Sequence, residues 1–347
     1  MINRSGASVR MATRYRHPYA TSGCHHTSVI THTAAVAAEA LRAGQLVALP
    51  TETVYGLGAD ATNPTALARL YAVKGRPTDH PSIVHLADLV EARSGWSAVW
   101  PASADCLAEA FWPGPLTIIL PAGTRPDPAA LGGTGTVALR IPNCDVTRES
   151  IRLSGTGIAA PSANRFGRVS PTTAQHVLDD LGADVDLILD GGPCAVGVES
   201  TIVDLTGLAP RILRPGAITA ELLEAALGTT LSTSLDTAPR APGTLAAHYA
   251  PRLPVVVTDS VAAAISASDE LIALVADATD PLLSPVPPNV ITLLDTGTSS
   301  ELYAERLYTL LREADASGAE HIVAVLPPAG GVGDAVRDRL SRAAAGA

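Results

Sequence analysis

From Thr33 onward the apolar positions change period repeatedly, with helix-like spacing giving way to short unbroken apolar runs and then returning. This alternation predicts helices layered on a sheet, an α/β architecture. Helical spacing over 35–43 stops at Gly44, and the run over 45–49 reads as a strand. Further helices are expected over 67–73, 106–112 (closed by Pro113), 173–181 and 220–227. Strands are expected over 83–86, 116–120, 136–141, 185–189 and 202–205. Between 228 and 251 the periodicity dissolves into Thr, Ser, Pro and Ala, as in a linker between separately folded units. Strands over 254–257, 271–275, 290–294 and 321–326 then alternate with helices, notably 301–314, as in a small parallel sheet. The expected organisation is a disordered extension over 1–32, a larger α/β domain over 33–228, a linker over 229–252 and a smaller α/β domain over 253–347.

Composition narrows the possible functions. A chain of 347 residues, 47% hydrophobic and 17% charged, can bury a core without disulfides or a structural metal. Its net charge of −10 argues against gripping nucleic acid by phosphate neutralisation, which requires excess Lys and Arg. Cys24, Cys106, Cys144 and Cys194 form no C-x-x-C pair, which favours reduced thiols and a cytoplasmic location. No apolar run is long enough to cross a bilayer, so no membrane association is expected. The first thirty residues carry Arg4, Arg10, Arg14 and Arg16 without an apolar core for a secretory signal. Within residues 1–32, His17, Cys24, His25, His26 and His32 cluster, but in a Pro/Gly/Thr-rich stretch that reads as a tail rather than a metal site.

Candidate chemistry begins with an oddity: Lys74 is the one lysine beside 23 arginines. A sequence that uses Arg wherever charge suffices points, at its single Lys, to a site wanting a compact ammonium. Lys74-Gly75-Arg76-Pro77 puts two cations around a glycine, either to clasp an anion or to answer a helix dipole. The segment 50–58 (PTETVYGLG) follows a strand with polar groups and glycines, as a ligand loop or a tight turn. Residues 159–164 (AAPSAN) and Ser170-Pro171-Thr172 offer short polar groups, although Ser170 or Thr172 could instead cap the next helix. Arg140 and Arg214 lie beside apolar strands, placed for a carboxylate or phosphate or for pairing with an acid such as Asp190 or Glu199. No P-loop, G-x-S-x-G elbow or G-x-G-x-x-G turn is present. These residues alone reach an α/β enzyme with an anion site.

PTETVYGLGADA (50–61), KGRPTDHPSIVHL (74–86), FWPGPLTIIL (111–120), APSAN (160–164), GVESTIVD (197–204) and ILRPG (212–216) together resemble the threonylcarbamoyl-AMP synthases. PG...HYAP at 242–251 is similar to the linker of their two-domain branch. The resemblance implies a YrdC-like twisted mixed-sheet domain with a concave pocket, followed by a small Rossmann-like parallel domain. It implies a nucleotidyltransferase that joins L-threonine, bicarbonate and ATP, with magnesium accompanying ATP and no certain metal ligand from the protein. It further implies that the product serves modification of adenosine 37 in tRNA through downstream transferase proteins, and the net acidity leads to the expectation of no stable tRNA binding by this chain.

Carried over by motif, Lys74 and Arg76 are catalytic. Thr53, His85, Arg140, the Ala160 backbone and Ser200 hold threonine; Arg76, His80, Thr136, Ser162, Asn164, Ser170, Arg214 and Tyr249 line the nucleotide side. Lys74 is expected between carbamate and α-phosphate, and Tyr249 is expected to close over the nucleotide. His80 stands where many members have Asn, and residues 244–247 are less basic than in archaeal relatives. An RNA-binding module and a carbamoyltransferase of related fold are the alternative readings.

Overall fold

The computed structural model describes residues 29–234, 236, 238–266 and 270–346. His17, Cys24, His25, His26 and most of the expected extension lie outside the described residues. The described chain contains strands β1 (Val29–Thr31), β2 (Val47–Leu49), β3 (Gly56–Asp60), β4 (Ile83–His85), β5 (Leu116–Pro121), β6 (Thr136–Arg140) and β7 (Ile158–Ala159). These are followed by β8 (Leu187–Leu189), β9 (Thr201–Asp204), β10 (Arg211–Arg214), β11 (Val255–Thr258), β12 (Ile272–Ala276), β13 (Val290–Asp295) and β14 (His321–Val325). Among the described residues the first ten strands form one sheet in the order β1-β8-β2-β3-β7-β4-β6-β5-β9-β10. Parallel pairs such as β4–β6 and β5–β9 sit among antiparallel ones such as β2–β3, β4–β7 and β5–β6, so the sheet is mixed. The remaining four form an all-parallel sheet in the order β11-β14-β12-β13.

Local chemistry explains the elements that place the site. The helix Pro64–Lys74 starts where the Asn63 side chain accepts from the amides of Thr65 and Ala66, with Pro64 in the first turn. It stops at Gly75, which takes the left-handed conformation at φ 61°. That stop leaves Lys74 and Arg76 on either side of the helix terminus. The helix Ala174–Leu181 is capped by Thr173, whose hydroxyl accepts from the His176 amide, so neither Ser170 nor Thr172 is the cap. Both are buried instead.

Two expectations shift. Val29–Thr31 pairs in parallel with β8, so residues 29–31 belong to the sheet edge rather than to a tail; three residues are too few for a period to show. Of the segment 50–58, read as a ligand loop or tight turn, the residues from Gly56 on belong to the strand Gly56–Asp60. A Cβ on Gly56 would lie 3.0 Å from Ala160 Cβ, and one on Gly58 would lie 2.9 Å from Ile158 Cγ2. The glycines let β3 approach the β7 segment closely, and a residue without a side chain leaves no mark in an apolar pattern.

The apolar interior spans both sheets. One cluster joins Val54, Val169, Val198 and Tyr249 to Tyr303, Leu307, Tyr308, Leu311, Val336 and Leu340 of the second domain. The helices Ser300–Asp315 and Gly333–Ala344 therefore pack against the loops that follow β2 and precede β9. Among the described residues of 229–252 there is no helix or strand, apart from an isolated bridge between Ala250 and Arg168.

Candidate active site

A cleft opens where strand ends and loops of the first sheet meet the linker. It is lined by Thr51, Thr53, Arg76, His85, Arg140, Ala160, Ser162, Glu199, Arg214, Gly243, His248 and Tyr249, among others. The parallel register of β4 and β6 pairs His85 with Arg140 at their C-terminal ends, the position where open α/β sheets receive ligands. Eight residues proposed from sequence line it directly: Thr53, Arg76, His85, Arg140, Ala160, Ser162, Arg214 and Tyr249.

The others stand around or away from this wall. Lys74 lies beneath the loop over 161–164, where its ammonium donates to the carbonyls of Ser162 and Asn164, the latter at 2.7 Å. Ser200 is buried against Thr117 Oγ1 at 2.8 Å and accepts from Arg214 Nη2 at 3.1 Å. Asn164 donates through Nδ2 to the Arg168 carbonyl at 2.6 Å, and Ser170 donates to Glu199 at 2.7 Å. His80 is partly exposed, edge-on to Phe166 with centroids 5.6 Å apart, and Thr136 pairs with the hydroxyl of Thr134 at 2.9 Å.

On one side of the cleft Arg140 is 3% exposed, donates to Thr53 Oγ1 at 2.8 Å and lies 2.8 Å from Glu52 Oε1. The acid paired with Arg140 is thus Glu52, not Asp190 or Glu199. The Glu52–Arg140 contact is off the hydrogen-bond axis, leaving both atoms unpaired as donor and acceptor. Burial, then the neighbouring Arg140 charge, lowers His85 to about 3, so its imidazole is neutral. Its Nδ1 has no protein partner.

On the other side, Arg76 Nη2 donates to the Pro81 carbonyl at 2.7 Å while Nε is unpartnered. Arg214 donates to the Ser200 carbonyl at 2.9 Å and to the Pro242 carbonyl at 3.0 Å. Burial lowers the pKa of Lys74 well below the ordinary lysine value, with Arg76 adding to the effect, and burial also lowers Arg76 and Arg214. These cations lie where an anion would relieve their desolvation.

Tyr249 arrives from the linker in a left-handed conformation, φ 64°, which costs a non-glycine residue on the order of 1 kcal/mol or more. Its ring packs against His248, with centroids 4.1 Å apart, and its buried hydroxyl has no partner. Burial lowers His248 to about 3, and its Nδ1 is likewise unpartnered. Orphaned buried atoms are rare in folded proteins. Those of Arg76, His85, Arg140, His248 and Tyr249 line one cleft, a candidate surface for a polar ligand, while others such as Trp96 Nε1 and Arg148 Nε lie away from it.

Thr51, which sequence analysis places within the 50–58 segment without a role of its own, donates its hydroxyl to the Val54 carbonyl at 2.6 Å and shapes the 51–54 turn. The sequence alone does not single out His248, shows Glu52 only as part of that segment, and shows Glu199 only as an acid that could pair with Arg140 or Arg214. Their neighbours in the motifs were visible, but their partners lie far off along the chain.

Two family models cover most of the chain. Residues 39–216 match the Sua5/YciO/YrdC model, described as telomere recombination, and residues 218–345 match the threonylcarbamoyl-AMP synthase C-terminal domain. The threonylcarbamoyl-AMP synthase of Pyrococcus abyssi is 38% identical over 317 residues, covering 89% of this chain and 93% of that protein. The Bacillus subtilis protein of the same name is 38% identical over 331 residues, covering 90% and 93%. The crystal structure of P. abyssi Sua5 complexed with L-threonine superposes with a TM-score of 0.81 and 36% identity, covering 90% of this chain and 94% of that one. With both family models matched in order along one polypeptide and a cleft built from the quoted motifs, the chain belongs to the threonylcarbamoyl-AMP synthase family.

Proposed function

We propose that the cleft joins L-threonine, bicarbonate and ATP into L-threonylcarbamoyl-AMP, releasing pyrophosphate and water. The observation that carries this reading is that buried polar atoms without a hydrogen-bond partner and three guanidiniums, Arg76, Arg140 and Arg214, line a single cleft. Threonine would sit on the side of Thr53, His85 and Arg140, its carboxylate facing the Arg140 guanidinium that Glu52 holds in place. The neutral His85 would accept or donate a hydrogen bond there without adding charge. Ala160 would offer its backbone, and Ser200 would brace Arg214 behind the wall.

The nucleotide would occupy the side of Arg76, Ser162, Arg214 and Tyr249. Asn164 and Ser170 would support that side from behind, and His80 and Thr136 would border it. When the carbamate oxygen attacks the α-phosphate, negative charge crowds the junction, and preorganised cations acting at low dielectric would supply much of the rate. Lys74 would contribute from beneath the 161–164 loop, which its ammonium holds by two carbonyls. Tyr249 would exclude water from the mixed anhydride.

Magnesium would arrive on the triphosphate and offset its charge. The described residues hold no group of three or more His, Cys, Asp or Glu fit for a resident ion. Of the nearby carboxylates, Glu52 faces Arg140 and Glu199 faces Arg339. The product would pass to a separate transferase acting on tRNA in the cytoplasm.

Pyrophosphate release should require threonine, bicarbonate, ATP and magnesium together, measured by a coupled phosphate assay. Release that persists without threonine would redirect the reading to another adenylyl transfer. Labelled tRNA titrated at low salt should show no tight, steeply salt-dependent binding, which separates this reading from an RNA-binding module.

A further inference from the structure

A carboxylate in the wall of a cleft that admits a triphosphate opposes its function unless its charge is answered. Glu199 is such a group: it lines the cleft and its side chain is 8% exposed. Its answer comes from the second domain, 140 residues further along the chain, where Arg339 Nε donates to Glu199 Oε2 at 2.8 Å. Tyr308, also of the second domain, donates its hydroxyl to the same oxygen at 2.7 Å, and Ser170 donates to the other. Arg339 is fully buried, spans to the Pro215 carbonyl at 3.0 Å and lies over the Tyr249 ring at 5.3 Å.

The local acids are then matched with one cation to spare. Arg339 also touches Asp338, but Asp338 is held in turn by Arg342, with Nε at 2.9 Å. Glu199 and Asp338 are thus matched by Arg339 and Arg342, and Arg214 is left over. All four hydrogen bonds that Arg214 makes go to neutral acceptors: the Ser200 carbonyl twice, the Ser200 hydroxyl and the Pro242 carbonyl.

We propose that Arg339 is a positioning residue for the nucleotide: from the second domain it neutralises Glu199 and so leaves the charge of Arg214 free to meet a phosphate of ATP. The inference rests on the reading of the cleft as an ATP site. Without Arg339, Glu199 would turn to Arg214 and cancel it. The ionised state of Glu199 agrees with this: although burial acts against it, Arg339 and then Arg214 hold the carboxyl down at about 2. The other groups facing it are Ser170, Tyr308, Tyr249 and the neutral His248.

The test compares the full-length wild type, Arg339→Met, Glu199→Gln and the double variant, each confirmed folded by circular dichroism. Magnesium-ATP affinity is read by calorimetry, and KM values for ATP and threonine by pyrophosphate release. Arg339→Met should weaken ATP roughly tenfold or more while the threonine KM changes less than about threefold. Adding Glu199→Gln should recover most of that loss, because removing both charges leaves no unpaired ion. In Arg339→Met alone, ATP affinity should fall as pH rises and Glu199 ionises, whereas the wild type should show no such transition between about pH 5 and 8.

A double variant as impaired as the single one, or equal losses for ATP and threonine, would indicate a purely structural residue and overturn the proposal. So would a wild type that does not bind ATP. If Arg339→Met does not fold, the double variant decides, since it must bind ATP close to wild type. A wild type that binds ATP but releases no pyrophosphate with threonine and bicarbonate would sink the reaction assigned above, while the calorimetric comparison would still judge Arg339.

Discussion

Lys74 is the residue where the chain abandons its preference for arginine, and its surroundings give the reason. The side chain is 2% exposed, and its ammonium donates to two carbonyls of the 161–164 loop. A guanidinium is planar and larger, so it cannot make the same two bonds without moving the loop. Lys74→Arg should therefore lower turnover about 100-fold, as loss of a preorganised cation does. The melting temperature should drop by only a few degrees, checked by thermal scan beside the pyrophosphate assay; near-normal turnover would remove the ammonium-specific role. The lysine could be singled out in the sequence because its rarity is itself a signal. Its position beneath the loop could not, since that depends on carbonyls 88 and 90 residues away.

Among the elements, the linker departs furthest from ordinary backbone. Tyr249 is left-handed, and Gly243, at φ 74°, passes so close that a Cβ there would lie 2.3 Å from the Tyr249 hydroxyl. The linker is tied down by the His248 amide donating to the Arg342 carbonyl at 3.2 Å and the Ala250 amide to the Gly167 carbonyl at 2.9 Å. An unpaired buried hydroxyl costs about 1–3 kcal/mol, so Tyr249→Phe should raise the melting temperature by about 2 °C or more. The same change should raise the KM for ATP, and a variant that gains no stability or keeps its KM would refute this account of the hydroxyl.

Most helices and longer strands were legible from period alone, because each buries one stripe or one run. The strands Gly56–Asp60 and Ile158–Ala159 were not, one being built around close-packed glycines and the other only two residues long. Spacing and composition reached an anion site with Lys74, Arg140 and Arg214 as candidates, and the roles of individual residues came through motif resemblance. Glu52 pairs with Arg140 and Glu199 with Arg339, at separations that no local pattern encodes.

At the scale of the molecule, the buried histidines tie stability to pH. His85 and His248 are held near 3, against an ordinary 6.5, chiefly by burial. As pH falls through 6.5 the unfolded chain takes up protons that the folded chain refuses. Stability is therefore present above that pH and lost below it, at about 1.4 kcal/mol per pH unit for each histidine. Glu199, lowered to about 2 against an ordinary 4.5, adds its own loss only once pH falls below the ordinary carboxyl range. His176, lowered to about 4 by burial, titrates in the same window, so urea unfolding at pH 7, 6 and 5 should show a loss of about 4 kcal/mol or more, and a midpoint constant over that range would contradict the neutral burial of these histidines.

The shared carboxylate also bears on how the protein is born. Translation delivers Glu199 well before Arg339, an interval of 140 residues, or on the order of ten seconds at the ribosome. During that interval all ten strands of the first sheet have been made, yet Glu199 has no second-domain arginine to answer its charge. On the proposal made for Arg339, a nucleotide wall relieved of that competing carboxylate exists only once the last helix, Gly333–Ala344, is in place.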